Sequence, residues 1–486
     1  MISRSYGGLF HKHYMFYLFL FLFFIKIYLL ITIGPAILPD SNSYINIAQM
    51  ILDDPTLWRQ VEWVGEYSPE KLFRPYGYPL LIAGAKLLSA SNFQWVLITT
   101  QTVVSLLVLM FISWFSVRFI ENKRILISLI IMAALSGFLL IDLAILTDSF
   151  YGSVFIVVFL TISAQILGYM QPHPGLSFLL GLAWVASITL RDVGLMHTFL
   201  PLSGLVLAGY CRRLGWGRTL FNAMLFLIPV AVLFFGVTYW NHVRTGHAFF
   251  SITGGINWLW PSINMLDRGL GNPFTCDDLI CQVARTIDIG KGMNGVFGLA
   301  AAVENQLHLD PIDFGHLTLS HFLGTVKAHP LAFLATVFSN IQFGHFADQV
   351  FNPVSNFNEL ARLHSEIGQR IIPGTREMWI AVRHGSFEFV VPLLVIGLLS
   401  VMSFCCLIVA VVGPPLLFFK RFRQGDTKTI AALYLWCVVA VFIGSYALIH
   451  MEMRHALPCV PLVLMVFGFT VEAWRSGRQS PVSDQL

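Results

Sequence analysis

A carboxylate and a basic aromatic segment border the polar stretch between the first two long apolar runs of the sequence. Asp40 lies directly after the first run, in the segment 39–44 (PDSNSY), and Arg74 lies in the segment 73–81 (FRPYGYPLL), which leads into the next apolar stretch. A carboxylate can take the proton of an attacking hydroxyl, and cations can stabilise a departing phosphate. The structural alternative for Asp40 is a helix N-cap, because Asp followed by Ser and Asn is a common helix start.

Three more charged residues lie at the ends of apolar runs. They are Asp148 in the segment 146–149 (LTDS), Arg191 in 189–192 (TLRD) and Arg454 in 453–458 (MRHALP). Arg suits phosphate because its planar fork binds two oxygens and keeps its proton, although Arg at helix ends more often only anchors to lipid headgroups. A carboxylate between two apolar runs is costly, so Asp148 should have a function or an arginine partner.

The composition indicates the class of protein in which these residues lie. Of the 486 residues, 56% are hydrophobic and only 12% are charged, compared with roughly 25% charged in soluble domains. Backbone groups in lipid must be satisfied internally, and the long unbroken apolar runs favour helices over a barrel. The sequence therefore predicts an all-α polytopic membrane protein. Nucleic-acid binding has no support, because the net charge of +4 is small and the basic residues form no continuous stripe.

The apolar runs predict about ten transmembrane helices. We place them near 14–36, 93–118, 125–147, 150–169, 176–190, 195–210, 219–240, 386–419, 429–449 and 456–474. Short connections rich in Lys and Arg stay in the cytoplasm, and every such cluster falls on one side, which puts both chain ends there. The chain then divides into an N-terminal transmembrane module (1–240) with a catalytic first loop (38–92), an extracytoplasmic segment (241–385) and a C-terminal transmembrane module (386–486).

Taken together, these segments resemble the GT-C superfamily of polyprenyl-phosphate-dependent glycosyltransferases, in particular the branch of protein mannosyltransferases and the lipid A aminoarabinose transferase. The segment 241–246 (NHVRTG) adds to the likeness, whereas 261–383 matches nothing in it. The resemblance implies a GT-C-like fold with amphipathic helices in the first loop. It also implies Asp40 and Asp148 as catalytic residues, and donor-phosphate binding by Arg74, Tyr78, Arg191 and Arg454. Many relatives have a second acid beside the first, where this chain has Ser41.

The function that follows is an inverting glycosyltransferase, because a single displacement with one base forms no covalent enzyme intermediate. Its partners would be a polyprenyl-phosphate sugar donor, a glycan or lipid acceptor and membrane lipids. We expect a bacterial inner membrane with the active site facing the periplasm. The cofactor is unknown, and a requirement for a divalent metal stays open. The alternatives are a transporter or flippase of lipid-linked sugars, with polar residues near the bilayer midplane, and a polymerase or ligase of glycan chains.

Two further pairs of residues carry structural predictions. Cys276 and Cys281 share an external polar segment and are disulfide candidates in an oxidising compartment, with two free thiols as the alternative. Lys26 and Asp142 lie inside apolar runs, and each charge needs a partner in lipid, so we expect them to pair. The segment 450–455 (HMEMRH) contains metal-capable residues, but no matching ligand pattern occurs elsewhere.

Overall fold

The computed structural model describes residues 6–54, 74–135, 141–341, 375–421, 426–451 and 453–476. In these residues helices account for the regular structure, and pairing of extended backbone is limited to one isolated bridge. The α-helices of six or more residues in the first half are α1 (Tyr6–Ile33), α2 (Pro39–Asp53), α3 (Gly77–Leu88), α4 (Phe93–Phe119), α5 (Lys123–Leu135), α6 (Asp148–Leu167), α7 (Pro174–Leu190), α8 (Phe199–Cys211) and α9 (Trp216–Thr245). Those of the second half are α10 (Trp260–Asp267), α11 (Leu279–Ala284), α12 (Gly292–Leu307), α13 (Pro311–Ala328), α14 (Pro330–Ile341), α15 (Thr375–Arg383), α16 (Val390–Arg421), α17 (Thr427–Ile449) and α18 (Val460–Ser476).

Within the described residues, seven helical spans are long and apolar enough to cross a membrane. An eighth exists if α13 and α14, which bend by 106° at their junction, form one broken span. Lipid can solvate the apolar outer faces of such helices, and their backbone groups are satisfied within each helix. The chain is therefore an all-helical polytopic membrane protein.

Two helices form the centre of the membrane bundle. Helix α6 packs against α4, α7, α8 and α17, and α18 packs against α16 and α17. Their side chains are buried nearly all round, including Phe155, Phe159 and Phe469. A helix that is apolar on every face is expected in such a central position.

The third predicted span, near 125–147, is wrong over residues 141–147. The described part of helix α5 is Lys123–Leu135, and residues 141–147 are not α-helical, although they belong to the same apolar run. The segment instead runs beside the chain between α1 and α2: Ala36 donates to the Leu143 carbonyl at 2.8 Å, and Ile145 donates to the Ala36 carbonyl at 3.0 Å. Irregular backbone at membrane depth is tolerated because it is buried in protein and satisfied there.

Buried polar side chains hold this irregular segment in place. The Gln101 amide donates to the carbonyls of Asp142 and Ala144 at 2.8 and 2.9 Å. The predicted Lys26–Asp142 pair is confirmed: the two side chains form a salt bridge and are almost completely buried. Asp142 also accepts a hydrogen bond from Ser149, on the first turn of α6. The ion pair therefore fixes the start of α6, where Asp148 lies.

The basic connections lie together at one end of the bundle. Lys428 and Glu121 approach to 3.7 Å, and the Asn122 backbone N–H donates to Glu472 at 3.2 Å. Arg212 donates to the Ile166 carbonyl at 2.7 Å. Asp40, Asp148 and the other candidate site residues lie at the opposite ends of these helices.

The segment between α9 and α15 has an apolar core of its own. Helices α10, α11, α12 and α13 contribute buried residues to it, including Ile263, Ile280, Val296 and Phe314. The Trp260 ring stacks on His450 with centroids 3.7 Å apart, next to the end of α17. Asn340 on α14 donates to the Ala447 carbonyl at 2.7 Å. These contacts attach the small domain to the end of the bundle that carries the candidate site.

Candidate active site

Asp40 lies between two arginines from distant parts of the chain. Its Oδ1 is 2.8 Å from Arg74 Nη2, and its Oδ2 is 2.5 Å from Arg454 Nη2. About a quarter of each side chain is exposed: 24% for Asp40 and 23% for each arginine. The carboxylate is thus held by two charge-assisted contacts at a place that solvent or a ligand can reach.

Asp40 is not the N-cap of its helix. The cap of α2 is Leu38, Pro39 follows as the first helical residue, and Asp40 lies in the first turn. Ser41 performs the capping instead, since its hydroxyl accepts from the Leu38 N–H at 2.9 Å and donates to the Ile145 carbonyl at 2.8 Å. The helix dipole also favours a negative charge at this position, but the Asp40 oxygens are directed to the arginines.

A second acid and arginine form a deeper pair. Arg191 Nη2 lies 2.8 Å from Asp148 Oδ1, and the Asp148 side chain has no exposed surface. Arg191 also donates to the Thr147 hydroxyl at 3.0 Å and to the Tyr446 hydroxyl at 3.4 Å. Asp148 therefore has the arginine partner that the sequence offered as the alternative to a function. The described contacts of Arg191 are all to other residues of the chain.

The Asp148 pairing is ionic without a well-aligned hydrogen bond. Although Nη2 and Oδ1 are close, neither carboxylate oxygen receives a hydrogen bond from the described residues. Buried carboxylate oxygens are usually hydrogen-bonded, so an exception of this kind needs an explanation. The charge of Arg191 is the compensation that the described residues provide.

Tyrosines connect the two acid–arginine pairs. The Arg74 guanidinium lies 5.1 Å from the centre of the Tyr44 ring. On the other side, Tyr446 accepts from Arg191, and its ring stacks on His455, the neighbour of Arg454, with centroids 4.3 Å apart. The structure thus brings Asp40, Arg74 and Arg454 into contact and places Asp148 and Arg191 beside them.

Gly77 allows the arginine-bearing segment to approach α7. A Cβ atom on Gly77 would lie 2.5 Å from the Thr189 carbonyl oxygen, closer than real Cβ atoms come. Only glycine leaves room for this contact, two residues before Arg191. The glycine of the segment 73–81 therefore sets the distance between Arg74 and Arg191.

Tyr78 does not lie with the predicted phosphate-binding group. Its side chain is fully buried, and its hydroxyl donates to Gln101 Oε1 at 2.7 Å. Its ring packs edge-on against Tyr44 with centroids 5.2 Å apart. Because Gln101 in turn holds the irregular segment 141–147, Tyr78 supports the site from behind, and we leave it out of the donor-binding residues.

Three residues near the Arg74 segment, Arg244, Trp240 and Tyr44, were not assigned a role from the sequence. Arg244 Nη1 donates to the Tyr76 hydroxyl at 3.1 Å, and its guanidinium lies 3.6 Å from the centre of the Trp240 ring. Tyr44 is the third. Its position four residues after Asp40 was the signal that could have found it, because residues i and i+4 share a helix face.

The carboxylates at this site are poorly suited to a divalent metal. Asp40 faces two guanidinium groups and Asp148 faces one, so a cation would lie beside existing positive charges. His450 and His455 stack on different partners, Trp260 and Tyr446. We therefore derive no step through a metal here.

The small domain between α9 and α15 contains a disulfide between Cys276 and Cys281, whose Cα atoms are 5.7 Å apart. Beside it, His321 Nδ1 lies 2.7 Å from Asp278 Oδ2. Burial raises the pKa of Asp278, but the hydrogen bonds from His321 and from the Cys281 N–H outweigh it and leave the pKa below its usual value. The disulfide thus closes a short segment whose acid is held in the ionised form.

Comparisons of the chain with protein-family models, with curated proteins and with solved structures return no match.

Proposed function

We propose that this chain is an inverting glycosyltransferase with a GT-C-like arrangement of about ten transmembrane helices. It takes a sugar from a polyprenyl-phosphate donor and transfers it to a glycan or lipid acceptor outside the cytoplasm. The observation that carries the proposal is the position of Asp40, about a quarter exposed between Arg74 and Arg454 and beside the buried Asp148–Arg191 pair. The likeness of these segments to the GT-C superfamily supports the same assignment.

In the proposed reaction Asp40 accepts the proton of the acceptor hydroxyl. The hydroxyl oxygen attacks the anomeric carbon, the bond from that carbon to the phosphate oxygen breaks, and the phosphate leaves with the electron pair. The configuration at the anomeric carbon inverts in this single step. Arg74 and Arg454 stabilise the growing negative charge on the phosphate, which is where fixed positive charge contributes most to the rate.

Asp148 and Arg191 have a different part in this scheme. The Asp148 side chain has no exposed surface, and it neutralises Arg191 and fixes its direction. Arg191 keeps 13% of its side chain exposed. In this scheme Arg191 contacts the donor phosphate, and Asp148 is a positioning residue.

The proposed orientation follows from the distribution of charge. The connections rich in Lys and Arg lie at the end of the bundle opposite to Asp40, and such connections stay in the cytoplasm. The site then faces the periplasm from a bacterial inner membrane. An acceptor exported from the cytoplasm would meet a lipid-linked donor at the outer surface of that membrane.

The test is transfer by the purified protein in lipid nanodiscs. Radiolabelled polyprenyl-phosphate hexoses and pentoses are supplied with a membrane glycolipid extract, and labelled products are separated and their anomeric configuration is determined. We expect inverted product from one donor. Label that stays on the donor for every sugar tested, together with movement of donor across the bilayer of liposomes, would favour the transporter alternative.

A further inference from the structure

Four metal-binding side chains meet in the small domain between α9 and α15, away from the candidate active site. They are Cys276, Asp278, Cys281 and His321. One ligand atom from each lies within 4.8 Å of every other. Three of the residues come from the turn before α11 and its first residues, and His321 reaches them from α13. The cluster is thus assembled by tertiary packing and not by one short segment.

The donor set is that of a structural zinc site. Two thiolates, one imidazole nitrogen and one carboxylate oxygen are ligands that Zn²⁺ takes in tetrahedral sites. Bonds of about 2.0–2.3 Å place neighbouring ligand atoms about 3.3–3.8 Å apart. The present separations therefore need small adjustments, except for the two sulfurs, which have to move from bonding distance to that spacing.

The surroundings already fix the orientation of these ligands. The Ser262 hydroxyl lies 3.0 Å from His321 Nε2, which leaves Nδ1 directed at the cluster. The Phe274 ring stacks on the imidazole with centroids 5.6 Å apart and planes 4° from parallel. Contacts of this kind set the ring orientation of metal-ligating histidines. Cys281 and His321 are buried, whereas Asp278 is 33% exposed and gives an ion a route of entry.

We propose that Cys276, Asp278, Cys281 and His321 form a redox-controlled zinc site, which is closed by the disulfide and opens to Zn²⁺ when the disulfide is reduced. A dithiol reductant donates two electrons and two protons, becomes a disulfide itself and leaves two thiols on the protein. Zn²⁺ then binds both sulfurs, and the two thiol protons pass to solvent. The same turn is thus cross-linked either by the disulfide or by the bound Zn²⁺.

The disulfide and the bound Zn²⁺ would each hold the same segment against α13. This segment lies between the short turn at 273–275 and α11. This domain contacts the bundle through Trp260–His450 and Asn340–Ala447, near Arg454. The exchange is independent of the proposed glycosyl transfer, since neither sulfur nor His321 belongs to that site.

The experiment uses the full chain in nanodiscs and Co²⁺ as the probe, because tetrahedral thiolate-bound Co²⁺ has visible d–d bands and a near-ultraviolet charge-transfer band. The protein is reduced with a phosphine, freed of it without oxygen and titrated. We expect one Co²⁺ per reduced chain, displaced by Zn²⁺, and none in the oxidised chain. Asp278→Asn and His321→Gln should each weaken binding by at least about 10-fold.

Matched controls separate this site from the other thiols. The double variant Cys276→Ser/Cys281→Ser keeps the remaining cysteines and should show no bands. Asp277→Asn and His316→Gln change exposed neighbours and should bind as the wild type does. The proposal is overturned if the reduced wild type binds no more Co²⁺ than the double variant, or if the two controls weaken binding equally. Should reduction unfold the domain, Zn²⁺ must restore its protease resistance, and failure to do so also overturns the proposal.

Discussion

The buried Lys26–Asp142 pair predicts a large and non-additive effect on stability. Both side chains are almost inaccessible, at 2% and 1% exposure. Removing one partner leaves the other as an uncompensated buried charge, which typically costs 3–5 kcal/mol. Lys26→Met and Asp142→Asn should therefore each reduce the free energy of unfolding by about 3–5 kcal/mol, roughly a 100- to 4,000-fold change in the folding equilibrium.

The double variant Lys26→Met/Asp142→Asn distinguishes the ion pair from simple loss of packing. It removes both charges, so it should cost less than either single change. Unfolding is measured in mixed micelles by titration with a denaturing detergent, followed by tryptophan fluorescence. Lys86→Met is the matched control, because Lys86 contacts Gln49 and the Phe93 ring at an exposed place and has no charged partner among the described residues, and it should change stability by less than about 0.5 kcal/mol. Single changes below about 1 kcal/mol, or a double variant whose cost equals the sum of the two single costs, would show that the two charges do not stabilise each other.

The other predictions concern the candidate site and the small domain between α9 and α15. Arg454→Ala should lower kcat/KM for transfer by about 10²- to 10³-fold, as expected for loss of one charge-stabilising donor, whereas Arg475→Ala at the opposite end should leave it unchanged. Gly77→Ala should reduce both stability and transfer, since its Cβ would meet the Thr189 carbonyl, and Gly84→Ala, which meets nothing, serves as the thermal-unfolding control. Burial raises the pKa of Glu304 from 4.5 to about 7. Between these two pH values the folded state therefore keeps a proton on Glu304 that the unfolded state has lost. The free energy of unfolding falls as the pH rises through this range. Glu304→Gln should therefore unfold at a higher temperature than wild type above pH 7 and at the same temperature below pH 4.5.

The part of the fold that the sequence predicted rests on local physics. Apolar runs must form helices in lipid, so the positions of the long helices followed from hydropathy alone. The common location of Asp40, Arg74, Asp148 and Arg191 at one end followed from counting helices. The Lys26–Asp142 pair followed from the cost of a lone charge in lipid.

What the sequence did not predict depends on tertiary contacts. Residues 141–147 lie in an apolar run, and their short 3-10 turn at 141–143 and their pairing with Ala36 depend on contacts with distant residues. The burial of Tyr78 depends on which face of α3 meets Gln101. The contact between Arg454 and Asp40 joins residues 414 positions apart, which hydropathy cannot register. The approach of His321 to the two cysteines is likewise a tertiary contact between residues that are distant in the sequence.

The assignment of Asp40 as the catalytic base is tested by measuring sugar transfer by the Asp40→Asn variant. Asparagine keeps the size and polarity of the side chain but cannot take a proton, so turnover should fall by about 10²- to 10⁴-fold, while donor binding largely survives. Asp53→Asn, at the exposed end of the same helix, is the matched control and should transfer at the wild-type rate. A folded Asp40→Asn protein that transfers sugar at nearly the wild-type rate would contradict the assignment.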